Sequence, residues 1–138
     1  MPPTNTFNPE SACPCGSQKQ LGACCLPYLE RKVLAPTAEA LMRSRYSAHV
    51  LMAIDYLWDT WSPTERIQSS KESIAAWASS CEWLGLKILE TNAGQEHDKQ
   101  GLVSFIAVFR QNGQLQQHHE ISVFKRVQQA WLYIGHQQ

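Results

Sequence analysis

No apolar run in this chain approaches the roughly 18 residues that suggest a membrane helix. No excess of charge points to a phosphate backbone or a lipid surface either: 12 lysines and arginines are balanced by 12 aspartates and glutamates over 138 residues. Without a basic face or a polybasic stretch, the sequence predicts neither a nucleic-acid partner nor a membrane-bound one. The opening residues MPPTNTFNPESA have no basic n-region and no apolar h-region, so a secretory signal is not expected and a cytoplasmic protein is. Internal repeats and long low-complexity segments are also missing. Glutamine-rich patches at 111–117, 128–129 and 137–138 read as solvated turns and tail. A hydrophobic content of 43% suits one domain with its own core plus a small appendage.

Large apolar side chains are scarcest where the chemistry is densest. Residues 13–25 read CPCGSQKQLGACC, with only Leu21, and Leu26 just beyond, to bury. Such a segment cannot hold a shape by core packing and needs a staple. Four cysteines in C-x-C-x8-C-C spacing can supply one. Disulfides would have to pair across the motif, because Cys13 and Cys15 are too near for an easy bridge and a Cys24–Cys25 bridge closes a strained ring. Cross-pairing would also need an oxidising compartment. Four thiolates around one tetrahedral Zn2+ are preferred over redox-active or iron-bound thiols, and full ligation makes the site structural. Gly16 can take the positive φ that turns backbone N–H groups toward sulfur. Lys19 is the only cation inside the motif.

This stretch resembles the SEC-C motif, the zinc-binding module at the tail of the bacterial preprotein translocase motor. That motif runs Cys-Pro-Cys-Gly-Ser-Gly-Lys-Lys-aromatic-Lys-x-Cys-(His or Cys). Cys13, Cys15, Cys24 and Cys25 match its ligands, and Pro14, Gly16, Ser17 and Lys19 match the intervening positions. Gln18, Gln20, Leu21 and Gly22 depart from it. Two of the lysines that the translocase tail directs at an acidic chaperone surface and lipid headgroups are thereby lost. The resemblance implies a zinc site and an interaction module, with a protein partner reached through the knuckle. PTAEALMRSRYSAHV, DYLWDTWSP, EWLGLKILE and GLVSFIAVF are in turn similar to the middle domain of the YchJ family. This second resemblance implies a nuclear transport factor 2-like domain, a cone-shaped α+β roll of three helices on a curved antiparallel sheet. It carries no established activity.

The residues alone support the same order. Residues 1–12 read as a flexible leader, 13–28 as the knuckle, 29–36 as a linker and 37–138 as the domain. Thr37 caps a helix whose face carries Ala38, Leu41, Met42, Arg45, Ala48 and Met52. A short helix follows from Asp55, as N-cap, to Trp61. A third opens at the capping-box pattern Ser69-Ser70-Lys71-Glu72 and buries Ile74, Trp77, Ala78 and Cys81. The period then changes to two, giving strands at 83–90, 102–110, 117–126 and 131–135, with a hairpin at Asn112-Gly113. Residues 102–109 are apolar on both faces and are expected to be covered on both.

Inward polar residues are the candidates for a small-molecule site in the cone. Arg45 shares the helix face with Leu41 and Ala48, and a guanidinium there requires a carboxylate or an anionic ligand. Asp55, Asp59 and Glu120 are its possible partners, and a core ion pair is the simpler expectation. Arg43 reads as a solvated neighbour. Glu120 shares a strand face with Ser122 and Phe124 and is the candidate general base of an alternative isomerase- or hydrolase-like enzyme. His118 and His119 point to opposite faces, so they do not form a metal pair. The five tryptophans, with Tyr46 and Tyr56, are expected in the core rather than around a pocket, and Cys81 as a small buried hydrophobe.

Overall fold

Threonine 37 is extended and its Oγ1 accepts a hydrogen bond from the Ala40 amide at 3.0 Å. Glu39 occupies the first turn that follows, so a long helix begins where cap and dipole favour it. The computed structural model describes residues 7–137. Its order is α1 (Leu26–Leu29), α2 (Ala38–Leu51), α3 (Ile54–Asp59), α4 (Lys71–Ser80), then β1 (Cys81–Ala93), β2 (Gln100–Gln111), β3 (Gln114–Val127) and β4 (Ala130–His136). The strands form one antiparallel meander in the order β1-β2-β3-β4. This is an α+β fold, as the change of period implies.

The core lies between α2 and the sheet, with Leu41, Ala48, Leu57, Val103, Phe124 and Trp131 almost fully buried. Two register shifts in β1, at Leu84 and Leu89, insert extra residues and bend the strand around the helices. The inner face of β2 is buried at Val103, Phe105, Ala107 and Phe109, while Leu102, Ser104, Ile106 and Val108 are only half-buried. The expectation of cover on both faces therefore holds on one. All the helices lie on a single side of the sheet, so nothing among the described residues fully shields the other.

Helix ends differ from the sequence reading in detail. Helix α3 starts at Ile54 with Ala53 at the cap, and Asp55 instead pairs with Lys71 at 2.9 Å. The capping box of α4 is made by Ser70 and Ser73, each hydroxyl accepting from the other's amide. In α4 Ala78 is buried but Trp77 is 43% exposed, and Cys81 opens β1 rather than ending the helical stripe. Met52 is exposed too, because it closes α2 in a left-handed conformation at φ 61°. Within the stretch read as a leader, the Pro9 and Ser11 carbonyls accept from the Gly22 and Leu21 amides of the knuckle. Residues 1–6 lie outside the described residues.

Gly94 and Gly101 face each other where β1 turns into β2, and the Gly94 carbonyl accepts from the Ala38 amide that starts α2. A Cβ on Gly101 would stand 2.4 Å from Gly94 Cα and 2.6 Å from Gly94 N. Gly101→Ala is therefore expected to cost about 1–3 kcal/mol, the scale of forced overpacking. Chemical denaturation would measure it. An unchanged midpoint would mean that this backbone crossing is not tightly held.

Candidate functional site

Two sites are built on opposite sides of α2. The first is the cysteine cluster. The Sγ atoms of Cys13, Cys15, Cys24 and Cys25 all lie within 4.8 Å of one another, with Cys15–Cys24 at 3.6 Å and Cys24–Cys25 at 4.0 Å. A tetrahedral ion with sulfur bonds of about 2.3 Å requires sulfur–sulfur edges of about 3.8 Å, so the four thiols could hold one metal ion with a contraction of at most about 1 Å along the longest edge. None of the five cysteines is in a disulfide. Crowding separates the thiols' titration: hydrogen bonds from Cys13 and then Cys25 pull Cys15 far down, while the same kind of bonds push Cys25 far up. All four cannot ionise together without a cation at their centre. Gly16 takes φ 80° and brings the loop against the Leu86 carbonyl, which a Cβ there would approach to 3.0 Å.

The cluster docks on the helix. Arg43 Nη1 donates to the Cys15 carbonyl at 2.9 Å and points at Cys15 Sγ at 3.8 Å, while its Nε donates to Glu39 at 2.9 Å. Ser47 Oγ lies 3.5 Å from Cys13 Sγ, and Leu51 and Leu86 pack against the cluster's apolar side chains. Arg43 is thus no solvated neighbour. It is the second cation beside a thiolate set that would carry a formal double negative charge around Zn2+. The pattern for it is present in the sequence: Glu39, Arg43 and Ser47 recur every four residues along one helix face.

The other side of α2 looks into a cavity of about 380 Å3, and a second of about 250 Å3 adjoins it through Arg45, His49, Trp77 and Tyr133. Trp77, Trp83 and Phe109 form one wall: Trp77 meets Trp83 and Phe109 edge-to-face at 6.2 and 5.7 Å, and Trp83 and Phe109 are tilted against each other at 5.3 Å. These tryptophans line a pocket, contrary to the core expectation, whereas Trp131 does belong to the core. Across from them β3 and β4 present Glu120, His118, Ser122 and Tyr133. The β4 backbone is fixed there because Tyr133 N donates to Thr60 O at 2.8 Å and Tyr133 O accepts from Ser62 N at 2.9 Å.

Arg45 has no carboxylate partner among the described residues, which corrects the expected ion pair with Asp55, Asp59 or Glu120. Asp55 and Asp59 instead pair outward with Lys71 and Arg31. Arg45 Nη1 donates to the Leu57 carbonyl at 2.9 Å and to Thr60 Oγ1 at 2.7 Å, and the guanidinium sits 4.9 Å above the Tyr133 ring. Burial lowers its pKa to about 10, which still leaves it a cation at neutral pH. Glu120 Oε1 lies 2.8 Å from His118 Nε2, and Oε2 accepts from Ser122 Oγ at 2.6 Å and Tyr133 Oη at 2.8 Å. Burial alone would push Glu120 up, but the bonds from Ser122, His118 and Tyr133 outweigh it and hold the carboxyl below its usual range. A carboxylate so engaged is a poor proton acceptor. His119 points to the other face, toward Ser104 at 3.2 Å.

His49, which sequence patterning does not single out, stands one turn beyond Arg45. Its Nδ1 lies 2.9 Å from the Arg45 carbonyl. A carbonyl only accepts, so the proton is on Nδ1 and Nε2 keeps its lone pair. Burial, with the Arg45 charge beside it, lowers the His49 pKa to about 4.

Among known proteins, the profile of the family described as YchJ, middle NTF2-like domain, matches residues 37–135. A UPF0225 protein of Geobacter sulfurreducens is 42% identical over 121 residues, spanning 88% of this chain and 75% of that protein. One from Chromobacterium violaceum is 42% identical over 126 residues, spanning 91% of each. The solution structure of a SEC-C motif containing protein from Rhodopseudomonas palustris superposes with a TM-score of 0.83 at 36% identity, covering 91% of this chain and 96% of that one.

The depressed pKa of His49 has a consequence for stability. Between pH 6.5 and about 4 the unfolded chain binds a proton on residue 49 that the folded chain refuses, so stability falls as pH falls through that window. His49→Leu should remove this component. The loss of stability from pH 7 to 5, followed by urea unfolding, is expected to be smaller in the variant by roughly 1–2 kcal/mol. Parallel pH profiles would show that His49 is not held neutral.

Proposed function

This chain belongs to the YchJ family, UPF0225, and on that premise we propose that it is a small-ligand-binding protein whose cone domain is braced by one structural Zn2+. Cys13, Cys15, Cys24 and Cys25 would hold the ion, leaving no open coordination position, and the ion would supply folding energy. What carries the binding reading is Arg45: a cation kept at the wall of an aromatic cavity with no carboxylate in direct contact among the described residues. A scaffold with no ligand would gain from replacing such a group with an apolar side chain. The saturated hydrogen bonding of Glu120 favours binding over acid–base catalysis. The knuckle's inner side is engaged by α2, so a protein partner would meet its outer rim. There Ser17, Lys19 and the half-buried Cys24 border an open groove with Arg43. An unbridged thiolate set suits a reducing, cytoplasmic setting.

Elemental analysis of the purified full chain is expected to give about one zinc per molecule. Cys24→Ala should release it and lower the unfolding temperature of the whole protein, because the knuckle is packed on α2. Zinc-free protein of undiminished stability would refute the bracing role. Arg43→Ala should keep the metal but cost about 1–3 kcal/mol, the scale of a lost charge-assisted hydrogen bond, read from the same unfolding curves.

A further inference from the structure

A guanidinium has two edges, and on Arg45 only one is used by the protein. Nη1 is committed to Leu57 and Thr60. Nε and Nη2 have no acceptor among the described residues, and neither is a sealed buried atom. Arg45 borders the two adjoining cavities, so this free edge opens onto them. Two parallel N–H groups in that arrangement match the two oxygens of a carboxylate.

The surroundings set the rest of the ligand. His49 is neutral and offers a lone pair, not a second positive charge, while Glu120 already contributes one negative charge to the cavity. With that resident charge in place, the one guanidinium can offset a single added carboxylate at direct contact but not the second charge of a phosphate dianion. Beyond Arg45 the wall is aromatic. Trp77 meets Trp83 at 79° and Phe109 at 78°, so it is stacked on neither and each contact covers at most one ring face. Trp77 is 43% exposed and borders both cavities, where a flat apolar body would cover it. We propose that the cavity binds a small aromatic monocarboxylate, with the acid on the Nε–Nη2 edge of Arg45 and the ring against Trp77, Trp83 and Phe109. This assignment rests on the ligand-binding reading given above.

Two probes of one shape separate the two ideas. 2-Naphthoate and its uncharged analogue 2-naphthamide would be titrated into the zinc-loaded full chain, with calorimetry for affinity and the indole N–H resonances of Trp77 and Trp83 for location. Naphthoate is expected to bind at least about tenfold more tightly than the amide, as one charge-assisted pair allows. Both should shift the two indole signals, and Arg45→Met should erase the difference while leaving amide binding. Equal affinities on the unaltered protein would overturn the carboxylate assignment and leave the ligand-binding reading standing, with no variant needing to fold. The carboxylate assignment falls in the same way if Arg45→Met keeps the preference, or if inorganic phosphate displaces naphthoate at comparable concentration. If neither probe binds or moves the indole signals, both ideas are overturned.

Discussion

Helix α2 is gripped from two sides, by the cysteine knuckle and by the curved sheet, and its polar residues cannot all turn to water. Each must find an acceptor, a thiolate or a void. Arg43 and Ser47 meet the knuckle, and Ser44 donates to the Leu41 carbonyl and touches the Tyr56 hydroxyl at 2.7 Å. Arg45 and His49 face the cavity. Removing either layer would return some of these groups to solvent and loosen the other site. The cysteine cluster and the cavity in this sense share one helix.

Within the cavity, Arg45 and Glu120 are both withdrawn from bulk water, yet they do not pair. Glu120 is satisfied by hydroxyls and an imidazole, and Arg45 by a carbonyl, a hydroxyl and the face of Tyr133. Tyr133 touches both, which keeps the two charges apart while screening each. The arrangement leaves the Nε–Nη2 edge of the guanidinium without a protein acceptor among the described residues, which is what the proposed ligand would use.

Part of this architecture is legible in the residues themselves, for identifiable reasons. Cysteine spacing announces a metal-competent cluster because four sulfurs so close in sequence have few other ways to meet. The period change after residue 80, the Thr37 cap and the Asn112-Gly113 turn are local signals that local structure obeys. Arg45 stands out because a charge on an apolar helix face is a local anomaly. Its partners do not, since Leu57, Thr60 and Tyr133 are brought to it by the α3 turn and a distant strand. Arg43 reads wrongly as solvated for the same reason: the Glu39–Arg43–Ser47 stripe marks a polar face of α2, but nothing near it in sequence says that the knuckle folds back onto that face. His49 carries only a weak signal, one turn from Arg45.

The sequence by itself determined the α+β order, the thiol cluster and the presence of an inward guanidinium, because each depends on residues within a turn or two of one another. Only the tertiary structure decided that the knuckle is docked, that Glu120 is already satisfied, and that Arg45 faces an aromatic void instead of a carboxylate. Those outcomes depend on where β1 bends and on which residues of β3 and β4 arrive opposite α2. Such long-range placement follows from how the whole chain packs, and no short stretch of it carries that information.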